Sequence, residues 1–261
     1  MPLIMSHGSS VAYSDSGKGD TTLLFIHGWG IHKGYWEYQV NYFKDKFRVV
    51  AIDLPGYGES GNHSRVWGPD TYVQDLDSVI DALQLTNVIL IGHSMSGATV
   101  VEAGVKHPGK FLGIVGVDNM KDVDMQTTPE MIAQWNQFYQ AAKKDFKGSI
   151  RGGIDALFAS TTDSLIRRRV TDDILASDTT MTLECLEAMD KYPFAQKLPQ
   201  LKQPVFLIES AYVPTDTAAF TKLGVAYKFY DMGNVGHYPM LEDPRRFNSL
   251  LEQVIVACGK K

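Results

Sequence analysis

A serine, a late histidine and a few carboxylates are the residues of this sequence whose setting suits chemistry. Ser94 lies in the run Ile89-Leu90-Ile91-Gly92-His93-Ser94-Met95-Ser96-Gly97-Ala98, which passes from an apolar stretch straight into small residues suited to a helix start. A serine on so sharp a turn is forced into strained backbone geometry that exposes its hydroxyl, and the residues two before and two after it must be small. Gly92 and Ser96 meet that need, with Ser96 standing where the strict motif has a second glycine. The helix that follows points its partial positive end at the same place, which favours a developing anion. The chemistry this suggests is attack by an activated hydroxyl. A second segment, His27-Gly28-Trp29-Gly30, also follows an apolar run. Its glycines let the backbone approach a ligand and aim an amide at it. The amides of Trp29 and Met95 are then the candidate donors of an oxyanion hole.

Such a site needs strands and helices that converge on it. Short apolar runs at Leu23 to His27, Phe47 to Ile52, Asn87 to Ile91 and Phe111 to Val117 read as strands, each bounded by Gly, Pro, Asp or Asn. Helical patterns lie between them, at about Trp36 to Phe43, Thr71 to Leu83 and Met95 to Lys106. In the second of these, Tyr72, Leu76, Val79, Ile80 and Leu83 recur at three and four residues, so one face packs on a sheet. From about Asn119 to Gln203 no strand is evident, and Glu130 to Lys143, Ser164 to Ser177 and Met181 to Lys191 look helical. Strands return at Val205 to Glu209 and Ala226 to Met232, and a helix from about Pro244 to Ala257 closes the chain. The alternation predicts an α/β protein with a mostly parallel central sheet and helices on both faces. Residues 1–118 and 204–261 form the core in this reading, and 119–203 form an inserted helical cap.

At 261 residues, one large domain with an insertion is a reasonable size. A formal net charge of −5 and a pI near 5.8 leave no electrostatic footprint for nucleic acid or an anionic membrane surface. The first ten residues lack the pattern of a secretory signal, and no run of about 18 apolar residues occurs, so a cytoplasmic enzyme is the expectation. The only two cysteines, Cys185 and Cys258, match no zinc spacing and read as ordinary buried thiols. No metal is expected, and the chain is read as a monomer or homodimer.

Two further motifs complete the pattern: Asp53-Leu54-Pro55-Gly56-Tyr57-Gly58-Glu59-Ser60 after the second strand, and Gly236-His237 near the end. With the His-Gly loop, the serine turn and the helical insertion, the whole chain resembles the α/β-hydrolase family. That resemblance implies a hydrolase with Ser94 as nucleophile and His237 as base, working without a cofactor. Family branches that open epoxides or remove halides carry aspartate at the nucleophile position, and this chain has serine. Among seven histidines, His237 also follows the last strand, where parallel topology places it at the edge of the serine turn.

A carboxylate must fix the tautomer of that histidine. The family's commonest position follows the strand Val205 to Glu209, yet no aspartate stands directly there. Another known arrangement uses the end of the preceding strand, where Asp118 follows Phe111 to Val117, with Glu209 and Asp216 as rivals. His32, Trp135 and Phe138 are candidate pocket residues, while Arg167, Arg168 and Arg169 read as a solvated helix face. The expected substrate is a small or medium uncharged carboxylic ester, cleaved through an acyl-enzyme on Ser94. Two alternatives remain open: a carbon-carbon bond hydrolase or cofactor-free dioxygenase on the same fold, and a hydrolase-like ligand receptor.

Overall fold

The computed structural model describes residues 2–63 and 65–259. Its eight strands are β1 (Leu3–Ser6), β2 (Ser9–Ser16), β3 (Thr22–Ile26), β4 (Arg48–Ile52), β5 (Val88–His93), β6 (Phe111–Val117), β7 (Val205–Ser210) and β8 (Tyr227–Gly233). They form one sheet in the order β1-β2-β4-β3-β5-β6-β7-β8. From β4 to β8 every pairing is parallel, while β1–β2 and β2–β4 are antiparallel. The first two strands are absent from the sequence reading. Their hairpin turns on His7 and Gly8, both at positive φ, which is the backbone of a two-residue type I′ turn.

The helices are α1 (Glu37–Phe43), α2 (Pro69–Ala82), α3 (Ser96–Lys106), α4 (Pro129–Lys144), α5 (Phe146–Asp155), α6 (Ser164–Ala176) and α7 (Thr179–Asp190), followed by short turns and the long terminal helix Pro244–Cys258. Side-chain alternation along the central strands divides the core in two. Leu24 and Ile26 of β3 pack with Leu76, Val79 and Ile80 of α2 and Val100 and Val101 of α3. Leu23 and Phe25 point the other way, into a cluster with Phe43 of α1 and Phe247, Leu251 and Val254 of the terminal helix. Both faces are therefore covered, which explains strands that are apolar throughout. Among the described residues, no helix is long and apolar enough to cross a membrane.

Helices α4 to α7 all lie between β6 and β7 in the chain. Each begins on a side chain that accepts an amide of its first turn: Thr128, Asp145, Asp163 and Asp178 in order. Such caps contribute about 1 kcal/mol each. Helix α5 is the one that the sequence reading lacks, because Gly148, Gly152 and Gly153 blur its apolar period. The arginine run is only partly a solvated face. Arg168 is exposed beside Asp172, but Arg169 stacks over the Tyr35 ring at 4.5 Å and binds the Gly34 carbonyl, and Arg167 binds the carbonyls of Thr162 and Ala159.

Strand β5 and helix α3 meet so closely that Gly92 has no room for a side chain. A Cβ there would stand 2.7 Å from the Ser96 carbonyl oxygen and 2.7 Å from Val100 Cγ1. Gly92→Ala is therefore expected to lower stability by about 1–3 kcal/mol, the usual cost of overpacking. A guanidinium unfolding curve measures it, and an unchanged midpoint would mean that α3 shifts aside freely.

Candidate active site

Parallel topology brings the carboxyl ends of β3 to β8 to one edge of the sheet. There Ser94 occupies the turn between β5 and α3 at φ +50°, a left-handed backbone that costs of order 1–3 kcal/mol for a residue with a side chain. Four hydrogen bonds hold the strained turn. Ser94 N donates to the Val117 carbonyl (3.0 Å) and Gly97 N to the Ser94 carbonyl (2.9 Å). Ser96 Oγ donates to the His27 carbonyl (2.5 Å), and Asn119 Nδ2 donates to the Gly92 carbonyl (2.8 Å). The loop after β3 runs against the same turn: a Cβ on Gly28 would lie 2.9 Å from Ser94 Cβ and 2.6 Å from His93 Nδ1. Only glycine lets Trp29 follow so near the serine.

His237 sits in the loop after β8, fixed through its backbone. Its amide donates to the Leu157 carbonyl (2.8 Å), and its own carbonyl accepts from His93 Nε2 (2.7 Å). The ring stands between two partners, Nε2 at 2.7 Å from Ser94 Oγ and Nδ1 at 2.7 Å from Asp118 Oδ2. A proton on Nδ1 serves the carboxylate, which leaves Nε2 free to accept from the serine. Asp118, also at positive φ, is 1% exposed. Its Oδ1 accepts from Ser210 N (2.8 Å), Ser210 Oγ (2.7 Å) and Lys121 Nζ (2.7 Å). Burial alone would raise this carboxyl, but the His237 bond and the Lys121 charge outweigh it and hold it well below the usual range.

The two rival acids are elsewhere. Val117 of β6 pairs with Ile208 of β7, so residues 118 and 209 are neighbours at the sheet edge. Glu209, fully buried, turns its carboxylate to the amides of Asn119 (3.2 Å) and Met120 (3.4 Å) and to Lys121 Nζ (3.0 Å). Burial and the Asp118 charge push that carboxyl up to about 6. Asp216 is spent as the cap of the helix Thr217–Lys222, accepting from Ala218 N and Ala219 N. Sequence reasoning missed Lys121, Ser210 and Tyr212, whose hydroxyl lies 3.2 Å from His237 Nδ1. A lysine three residues after a strand-end aspartate was the one local signal for them.

Residues of α4, α5 and α7 and of the loops beside them line a cavity over Ser94. It has two adjoining lobes of about 560 and 420 Å³ that share Ser94, Asn119 and Met189 as lining. Trp135 faces the larger lobe, and Phe138 and Trp29 the smaller. His32 corrects the sequence reading: it lines neither. Its Nδ1 accepts from Gly34 N (3.2 Å) to cap the turn Lys33–Trp36, and its Nε2 lies 3.6 Å from Asp173. Met95 carries its side chain inward, where its sulfur meets the Tyr57 hydroxyl at 3.7 Å.

Residues 23–250 match the model of the Alpha/beta hydrolase family. The AB hydrolase superfamily protein YisY of Bacillus subtilis is 26% identical over 255 residues, covering 92% of both chains. The Karrikin insensitive 2 receptor CA of Petunia hybrida is 23% identical over 87% of this chain and 89% of its own. Among solved structures, an esterase from Exiguobacterium antarcticum superposes with a TM-score of 0.86 at 19% identity, covering 97% of this chain and 98% of its own.

Two buried histidines beside the site give it a pH dependence of stability. His27 receives Leu54 N on Nε2 and sits against the Gly28 carbonyl, and burial lowers it to about 4. Burial likewise lowers His93 to about 3. Both rings stay neutral in the folded chain at pH 5, whereas they protonate below about pH 6.5 when unfolded. The unfolded state then binds more protons, so stability falls as the pH is lowered, with a limiting slope of about 1.4 kcal/mol per pH unit for each ring. Glu209, raised when folded, acts with the opposite sign below about 6, as do Asp75 and Asp190, which burial raises from a lower ordinary value, so the two rings set the slope just below pH 6.5. The unfolding free energy should therefore drop between pH 6.5 and 5 in chemical denaturation. A flat profile would contradict neutral burial of the two rings.

Proposed function

The chain belongs to the alpha/beta hydrolase family, and on that footing we propose that it is a serine hydrolase of uncharged carboxylic esters, a carboxylesterase acting through an acyl-enzyme. The observation that carries the reading is the chain of two 2.7 Å hydrogen bonds from Ser94 Oγ through the His237 ring to Asp118. In this mechanism Ser94 Oγ attacks the ester carbonyl while His237 Nε2 takes its proton. Asp118 keeps the proton on Nδ1 and stabilises the imidazolium that forms. The amides of Trp29 and Met95 donate to the oxyanion, a role consistent with the contact between the Gly28 loop and the serine turn. Collapse breaks the carbonyl–alkoxy bond, and Nε2 returns its proton to the departing alcohol. Water then attacks the acyl carbon as Nε2 takes its proton, the bond from that carbon to Ser94 Oγ breaks, and Nε2 returns the proton to Oγ as the acid leaves.

A second reading, a ligand receptor, draws on the petunia relative named as a receptor. Turnover separates the two. A fluorophosphonate should label Ser94, and p-nitrophenyl esters should be hydrolysed repeatedly. Labelling without sustained turnover would favour the receptor.

The acid is tested within the same assay. Asp118→Asn should cost on the order of 10⁴-fold in kcat, as in other triads where the amide stabilises the wrong tautomer. Glu209→Gln should cost far less, because its carboxylate meets backbone amides and Lys121 rather than the imidazole. Circular dichroism excludes unfolding. A large loss in Glu209→Gln with Asp118→Asn near normal would overturn the assignment.

A further inference from the structure

The two lobes over Ser94 differ in chemistry. The smaller one, on the His237 side, is walled by Trp29, Phe138, Ile150, Ile154, Leu157 and Leu186. The larger one is mixed: Gln126, Asn136 and Gln196, all exposed, stand beside Ile132, Trp135 and Phe194. It also carries three carboxylates, Asp122, Glu187 and Asp190, against one ammonium, Lys191. Lys191 is already paired with Glu187 at 2.6 Å, and Asp190 receives the Tyr139 hydroxyl at 2.5 Å. That lobe can offer hydrogen bonds to a polar group but repels an anion.

Proton bookkeeping decides which half of an ester occupies which lobe. Attack moves the Ser94 proton to His237 Nε2, and collapse breaks the bond between the carbonyl carbon and the alkoxy oxygen. That same proton must then reach the leaving oxygen, which has to lie on the His237 side of the carbonyl. His237 lines only the smaller of the two lobes, while Ser94 lines both. With the carbonyl over Ser94, the alcohol half points into the apolar lobe and the acyl half into the larger, mixed one, the lobe with more polar groups.

Resting on the ester-hydrolase reading above, we propose that the substrate joins an apolar alkyl or aryl alcohol to a polar acyl group that carries no negative charge. The apolar lobe selects the alcohol, and the lobe around Asn136 selects the acyl group.

Gly153 of α5 offers a clean test. It lines the apolar lobe, and a Cβ there would meet nothing within 4 Å, so a large side chain can be placed at the wall of the lobe without a clash at its Cβ. The assay uses two series of esters: methyl, butyl and 2-phenylethyl butanoates, and ethyl butanoate, ethyl 3-hydroxybutanoate and ethyl hemisuccinate, whose second carboxyl is free. In Gly153→Phe, the kcat/KM ratio of 2-phenylethyl to methyl ester should fall about tenfold or more, the scale on which a hydrophobic pocket discriminates. Leu157→Ala should raise that ratio. Asn136→Leu should instead lower the ratio of 3-hydroxybutanoate to butanoate about five- to tenfold, the worth of one hydrogen bond. The wild-type chain should hydrolyse hemisuccinate more slowly than 3-hydroxybutanoate. Crossed effects, with Gly153→Phe moving the acyl ratio and Asn136→Leu the alcohol ratio, would overturn the inference alone, as would ratios that do not move. A wild-type chain that turns over no ester in either series would overturn the ester reading and this inference with it.

Discussion

A carboxylate almost closed off from water is the element on which the site depends. An isolated ion in Asp118's place would cost several kcal/mol in lost hydration. Here a ring nitrogen, a backbone amide, a hydroxyl and an ammonium replace that hydration. Three of those four donors come from residues that β6 and β7 bring together, Lys121 just past one strand end and Ser210 at the other. Sheet register and side-chain ionisation are thus one problem at this edge. Glu209 shows the asymmetry that results. It shares Lys121 with Asp118, yet its environment pushes it toward the protonated form while Asp118 is held ionised. Of two adjacent acids, the one that touches the imidazole keeps its charge to the lower pH.

Local features were the legible ones. A strand running into small residues marks the Ser94 turn because its strain is resolved within five residues, and the central strands read clearly because both faces are buried. Asp118 could be chosen over its rivals only from its place at a strand end. What separates it from Glu209 is the pairing of Val117 with Ile208 and the direction of two side chains, neither of which has a sequence period. His32 illustrates the reverse error. It follows the His-Gly loop closely in sequence, but capping its own short turn draws the ring away from the cavity. The β1–β2 hairpin escaped notice because an edge strand with one exposed side shows little apolar pattern, and α5 because its glycines leave gaps in the helical period.

The histidines beside the site divide by connection rather than by type. His27 and His93 tie loops together through their ring nitrogens and give up protonation in exchange for burial. His237 uses its backbone for that work, binding Leu157 and His93, and keeps both ring nitrogens for side chains. A loop residue can hold an exact orientation when its main chain is anchored on both sides and its side chain is not needed for packing.

Helices α4 to α7 leave the sheet at the end of β6 and return to it at β7, and these strands are neighbours. The ends of the segment are therefore held side by side by the sheet itself, and each doubling of its length adds only about 0.6 kcal/mol of closure entropy. Such a graft is modular in an evolutionary sense. Its helices can lengthen, shorten or be exchanged while the eight strands keep their order, provided that the Asn119 side-chain amide and the Leu157 carbonyl, which hold the Ser94 turn and His237, keep their places. The arrangement lets substrate preference drift quickly on a reaction centre that stays put.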